Sequence, residues 1–288
     1  MKQKICMAIL FIALLSWMAF PALAESSQGI GATSGTCGSK LTWALSSDGT
    51  LTISGTGAMT NYTASSGTPW EARKSSVKTV TVGDGVTTLG DYAFNGCANL
   101  TTINLPNGLK TIGSSVFYNC DSLVTIAFPN TVTSIGGYCF SNCDKLKKVT
   151  LSNTLVYIGY DAFSSCSSLT DIELPDSLTS MGSRAFIWDG NLQTVILSSG
   201  LTDIPSEAFY ACRLSELTIP EGITTIQGNA FSSNSLLTTL YLPSTLENVA
   251  SGAFSGCNNL SDVYFAGTQE EAEAILIGTN NTNLSAAT

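Results

Sequence analysis

The chain contains no histidine. That absence removes Ser-His-Asp and Cys-His nucleophilic catalysis, and with them any imidazole metal ligand. Charge is scarce too: Asp, Glu, Lys and Arg make up 11% of 288 residues, with a net charge of −9. Twelve basic residues forming no basic stripe argue against a nucleic-acid partner, since there is nothing to release phosphate counterions. The acidic excess serves solubility. The sequence also lacks a Gly-x-Gly-x-x-Gly element after a strand, a phosphate loop, a Cys-x-x-Cys pair and a calcium-binding Asp repeat. Neither cofactor nor metal is expected. Yet 44% of the residues are apolar, too many for a disordered chain, and they are phased rather than clumped.

One apolar stretch is not phased. Lys2 and Lys4 precede an apolar run from Ile5 to Phe20, and Ala22-Leu23-Ala24 stands before Glu25. A basic start, a short apolar run and a small-x-small site predict a secretion signal over 1–24, removed in the mature chain. Cys6 lies inside this segment rather than at its end, which disfavours a lipoprotein. Loss of Lys2 and Lys4 takes the net charge to near −11.

The remaining apolar residues follow a period. Phe94, Phe117, Phe140, Phe163, Phe186, Phe209, Phe231 and Phe254 are separated by 23 residues in six of seven gaps, and by 22 between Phe209 and Phe231. Periods of this size mean stacked coils. Three residues after each Phe comes Cys97, Cys120, Cys143, Cys166, Asp189, Cys212, Asn234 or Cys257. A leucine follows (Leu100 to Leu260), then an alternating pair such as Ile103/Leu105 or Ile172/Leu174. A turn comes next, often with Pro106, Pro129, Pro175, Pro220 or Pro243, and last an aliphatic such as Ile112, Ile135 or Met181. One unit cannot close a core around so few apolar side chains. Burying each contributes roughly 1.5–3 kcal/mol only when a neighbouring unit covers it.

The period predicts nine parallel strands, about 77–82, 101–105, 124–128, 147–151, 170–174, 193–197, 215–219, 238–242 and 261–265. Short strands or 3₁₀ turns are expected around Ile112, Ile135 and Ile158, with almost no long helix. A degenerate first coil spans 70–93, with Trp70 near the Phe position. Asp48-Gly49 between alternating segments predicts a β-hairpin at 40–55, which covers the first coil with Trp43 and Trp70 as plugs. Residues 25–36 read as loose. A short capping helix is expected from Gly267 to Ile275, where the acids crowd its first turn, and a ragged tail from Asn280 to Thr288. The domains are then 1–24, a capping segment 25–69, the solenoid 70–265, and a cap and tail 266–288.

Six of the eight mature cysteines share a column with Asp189 and Asn234, which predicts a ladder of reduced, buried groups bonding to open backbone at the bend. Parallel Cβ vectors on stacked coils make disulfide geometry poor. Cys139 falls in an alanine column, and Cys37 has no assignment.

The unit Leu-x-x-Ile-x-Leu-Pro, Leu-x-x-Ile-Gly, Ala-Phe-x-x-Cys, nearly complete from Ala162-Phe163 to Pro175, resembles the BspA-like leucine-rich-repeat family of bacterial surface and secreted proteins. The resemblance covers about 70–265. The stretches Gly35–Gly57 and Val263–Glu271 resemble the family's flanking modules. It implies a curved, mainly β leucine-rich-repeat solenoid with a concave parallel sheet, a cell-surface or secreted location, adhesion or host and matrix binding, and no shared catalytic residue. Ser152 and Ser198 in place of Pro, Pro205 in place of Gly, and the 22-residue repeat depart from the pattern.

Strand alternation turns one set of side chains outward. Among these, Asp171, Glu173, Ile196, Glu216, Tyr241, Asp262 and Tyr264 form the candidate binding surface, with Tyr241 beside Tyr264 suited to a protein or glycan partner. The competing readings are a solvated strand face, a carbohydrate-processing enzyme using Asp171 and Glu173 as paired carboxylates, and a passive spacer.

Overall fold

A computed structural model describes residues 33–286; the expected signal segment 1–24 lies outside them. The coils stack through three walls, each with its own backbone ladder. All nine expected strands of the front wall form, at Thr79–Val82, Thr102–Asn104, Thr125–Ala127, Lys148–Thr150, Asp171–Glu173, Thr194–Ile196, Glu216–Thr218, Thr239–Leu242 and Asp262–Phe265. Most bury the central aliphatic and expose its two neighbours, the period-2 signature of a sheet with one wet face. They are parallel and in register, but not as one sheet. The ladder opens after Thr102–Asn104, after Lys148–Thr150 and after Thr194–Ile196. The stacked rings behind this wall stand 5.0–5.9 Å apart, whereas hydrogen-bonded strands prefer about 4.8 Å. Ring spacing does not mark the openings: Glu216–Thr218 and Thr239–Leu242 pair where the rings of their coils stand 5.5 Å apart, and Lys148–Thr150 and Asp171–Glu173 do not where they stand 5.1 Å apart.

The back wall is made of two-residue strands. Thr111–Ile112, Ser134–Ile135, Tyr157–Ile158 and Ser180–Met181 continue one parallel ladder begun by Gly57–Ala58 and Val86–Leu89. A second ladder runs from Asp203–Ile204 through Thr225–Ile226 and Asn248–Val249 to Leu276–Ile277. The break has a chemical cause. Gly136, Gly159 and Gly182 each donate N–H to the preceding coil, at Ile112, Ile135 and Ile158. Pro205 stands next in that column and has no N–H to give.

The third wall is the Phe corner. Trp70 and the eight phenylalanines of the repeat column are fully buried and stack in one column, nearly parallel from Phe140 to Phe231. The residues two before and two after each Phe have positive φ, for example Arg184 at 63° and Trp188 at 62° around Phe186. This turns alternate N–H groups the same way. Arg184, Phe186 and Trp188 donate to Ser206, Ala208 and Tyr210 of the following coil at 3.0, 2.8 and 2.9 Å. From Phe94 to Phe231 each Phe N–H likewise donates forward.

Both ends are closed by side chains. At the first coil, Trp70 Nε1 donates to the Ala93 carbonyl at 3.0 Å, and Trp43 meets the Trp70 ring edge-on at 5.6 Å. The hairpin of Leu41–Leu45 and Thr50–Gly55 leads into the front wall, because Thr50–Gly55 pairs in parallel with Thr79–Val82. Residues 34–36 are not loose: Ser34–Gly38 is an antiparallel third strand on Leu41–Leu45. It is anchored by buried Cys37, and by Gly35, where a Cβ would fall 2.9 Å from Trp43 Nε1. At the last coil the helix Gln269–Ala274 carries a capping box between Thr268 and Glu271. The tail is not ragged throughout: Leu276–Ile277 joins the back wall, and a helix spans Thr282–Ala286. Asn281 explains the order. Its Oδ1 accepts from Phe254 N at 3.0 Å, and its Nδ2 donates to Ala250 O and Gly278 O, both at 2.9 Å.

Candidate functional site

The front wall carries every candidate residue, and all are exposed: Asp171, Glu173, Ile196, Glu216, Tyr241, Asp262 and Tyr264. Register sorts them into two rows. Glu173 pairs with Ile196, and Asp171 with Thr194. Beyond the opening in the sheet, Glu216, Thr239 and Asp262 form one row, and Thr218, Tyr241 and Tyr264 the other. Tyr241 and Tyr264 are brought together: their rings stack at 5.0 Å and 14°, with 38% and 53% of their surface in solvent. Ile196 is 56% exposed and is not paired to the Tyr strands. It lines a groove of about 470 Å³ with Thr194, Glu216, Thr218 and Pro220, where the ladder is open. A matching groove of about 460 Å³ lies between Lys148–Thr150 and Asp171–Glu173. The surface is therefore a stacked aromatic pair on the last coils, with open slots at two breaks of the ladder before it. Asp171 accepts from its neighbour Thr170 Oγ1 at 2.8 Å, as a solvated strand residue does.

The thiol ladder lies behind this face. Cys120, Cys143, Cys166, Cys212 and Cys257 each donate Sγ–H to a Phe carbonyl of an earlier coil at 3.1–3.3 Å. Asn234 makes the same bond with Nδ2, to Phe209 O at 2.8 Å. All eight described cysteines are free and buried. Burial pushes Cys97 and Cys143 up to about 12, and Cys37 and Cys257 up to about 11. Since the thiolate is the nucleophile, alkylation with iodoacetamide at pH 8 is expected to leave all eight unmodified in the folded chain and to label all eight in denaturant. Mass spectrometry reads both counts; rapid labelling of the folded chain would refute the ladder.

Sequence reasoning missed a cluster on the Phe corner. Arg184 Nη1 donates to Tyr160 Oη at 2.7 Å, and its Nε lies 3.4 Å from Asp161 and 3.7 Å from Glu207. Its guanidinium sits over the rings of Tyr160 and Trp188, at 5.3 and 5.6 Å. Asp161 is buried, which pushes its carboxyl up against the opposing pull of Arg184. The available signal was Trp188, which stands where the other copies have Gly96, Asn119, Asn142, Ser165, Ala211, Ser233 and Gly256.

Among the described residues no group of His, Cys, Asp and Glu is placed to hold a metal, and no helix is long and apolar enough to cross a membrane.

Residues 72–191 and 157–276 match the BspA type leucine rich repeat region, in six copies. The fold is similar to that of a leucine-rich repeat protein from Eubacterium ventriosum (TM-score 0.51, 20% identity, 86% of this chain and 94% of that one). A leucine-rich repeat protein from Bacteroides ovatus gives a TM-score of 0.55 at 20% identity, over 84% of this chain and 78% of that one. The pneumococcal vaccine antigen PcpA gives 0.52 at 19%, over 82% and 71%. No curated protein matches the chain.

Proposed function

Because the chain belongs to the BspA-type leucine-rich-repeat family of bacterial surface proteins, we propose that it acts outside the cell as a binding protein, gripping an extracellular protein or glycan with its front wall. The signal segment and the likeness to a pneumococcal vaccine antigen support the location. The observation that carries the activity is the Tyr241–Tyr264 pair. Two large rings stacked in solvent are unneeded by the buried core. They suit contact with a partner, since aromatics supply wide contact area with few rotatable bonds. The wall is rigid before contact, so little ordering entropy is lost on docking. Adhesion by repeated weak contacts along the coils follows as the mechanism.

The test is an array of extracellular-matrix proteins and glycans probed with residues 25–288 and with a Tyr241→Ala/Tyr264→Ala variant. Saturable binding weakened more than tenfold in the variant, with an unchanged melting curve, is the expected result. Binding that the variant keeps in full sinks the Tyr pair as the site. Binding to nothing on the array returns the chain to a spacer.

A further inference from the structure

We propose that the Phe corner carries a second binding site, built around Trp188, for a neutral oligosaccharide. The starting point is an anomaly in a repeat. Two residues after each Phe the backbone is left-handed, with φ between 56° and 77°. That conformation favours Gly and Asn, and a bulky residue in it is an outlier. Seven copies obey, with Gly, Asn, Ser or Ala; only the eighth is Trp188, whose ring is 52% exposed. The ring stabilises neither the local backbone nor the core. Bulky residues hold this conformation two before Phe, at Tyr92, Tyr138, Arg184 and Glu207, so what sets Trp188 apart is a large exposed ring in a column otherwise of Gly, Asn, Ser and Ala.

The surroundings define the use. Arg184 covers the Trp188 ring from one side and is itself held by Tyr160, Asp161 and Glu207, so the indole is fixed in orientation. Trp188 then lines a depression of about 500 Å³ together with Tyr210, Glu207, Asn229 and Ser232. An aromatic face takes the apolar C–H face of a pyranose. A carboxylate, an amide and hydroxyls around it accept from and donate to ring hydroxyls. Charge selects the kind of sugar. Arg184 is the one cation of the lining; Glu207 lies beside it there, and Asp161 is buried behind it. Two carboxylates already face that guanidinium, so no uncompensated positive charge is left to hold an anionic glycan. The depression has room for one or two sugar units and opens to solvent, which suits a chain end or branch.

The test uses an array of neutral hexose and N-acetylhexosamine oligosaccharides alongside sialylated and sulfated ones. The probes are residues 25–288, a Trp188→Asn variant and the Tyr241→Ala/Tyr264→Ala variant. Three results are expected. Neutral oligosaccharides bind and shift the tryptophan emission, because Trp43 and Trp70 are buried and Trp188 is the exposed indole of the mature chain. Trp188→Asn weakens binding more than tenfold while melting at the same temperature as the parent or higher. The Tyr variant binds these sugars as the parent does, which separates this site from the front wall. No neutral oligosaccharide retained, binding that survives Trp188→Asn, a preference for acidic glycans, or a lower melting temperature for Trp188→Asn would each overturn the proposal. None of these outcomes bears on the Tyr pair.

Discussion

Asp189→Asn is expected to stabilise the fold by about 1–3 kcal/mol at pH 7, the cost of one buried polar atom left without a partner and an unusual direction for a buried substitution. Asp189 is fully buried in the thiol column, where its neighbours in the stack donate to a Phe carbonyl of an earlier coil. Its Oδ1 accepts from Cys166 N at 2.7 Å, while Oδ2 has no partner. Asn234 shows the arrangement that Asp189 imitates. Asn234 Oδ1 accepts from Leu214 N at 3.1 Å, and its Nδ2 donates to Phe209 O and Phe231 O. A carboxyl can fill the donor half of that pattern only when protonated. Burial pushes Asp189 well above the ordinary carboxylate range, which favours that proton in the folded state.

The unfolded chain releases it near pH 3.9. A folded-state pKa raised above the unfolded one gives stability that is complete below about pH 4 and lost as pH rises, at up to about 1.4 kcal/mol per unit. Urea denaturation between pH 4.5 and 8 should show the parent weakening as pH rises, less so for Asp189→Asn. Equal midpoints at pH 7 would sink the idea.

Phe163→Ala is expected to cost about 3–5 kcal/mol, the range for deleting a buried aromatic. Phe163 has zero exposure and lies between Phe140 and Phe186, with ring centroids 5.1 and 5.2 Å away and planes within 3°. A void there removes stacking on two sides. Because coils contact only their neighbours, the loss falls on one junction and divides the array into two weakly coupled halves. Phe254→Ala, at the end of the column, loses one ring neighbour instead of two and is expected to cost less. Denaturant melts, with limited proteolysis mapping the first cuts, check both. Cuts near 163 should dominate in the first variant; a uniform loss of stability with no local cleavage would contradict a chain of nearest-neighbour units.

Repetition made most of this legible in the sequence. Nine strands, the Phe stack and the thiol ladder each repeat a side-chain type at a fixed step, so eight copies vote on every position. What stayed hidden has no copies. The strand Ser34–Gly38 reads as Gly- and Ser-rich coil because its one deep anchor is Cys37 and its packing depends on what Gly35 lacks. Asn281 looks like part of a polar tail until the open N–H of Phe254 is in place above it. The openings of the front wall show only in the strand pairing. For the candidate surface, alternation was enough to find the exposed rows, and register was needed to show that Tyr241 meets Tyr264 while Ile196 faces a slot. The Trp188 cluster was visible only as a break in a column, on a wall where backbone handedness rather than strand alternation decides what faces out.

The forward-donating bonds of the Phe corner give the rod a direction. Peptide dipoles aligned head to tail add, and here every coil from Phe94 to Phe231 points N–H toward the C-terminal end. That corner therefore presents carbonyl oxygens at its beginning and amide hydrogens at its finish. The two plugs are matched to this polarity: an indole N–H from Trp70 meets the oxygens, and a side-chain oxygen from Asn281 meets the hydrogens. Exchanged, the indole would fail, since it can donate but not accept. A further coil joined at either end must obey the same rule, so two such rods can continue one another head to tail along this corner but never head to head.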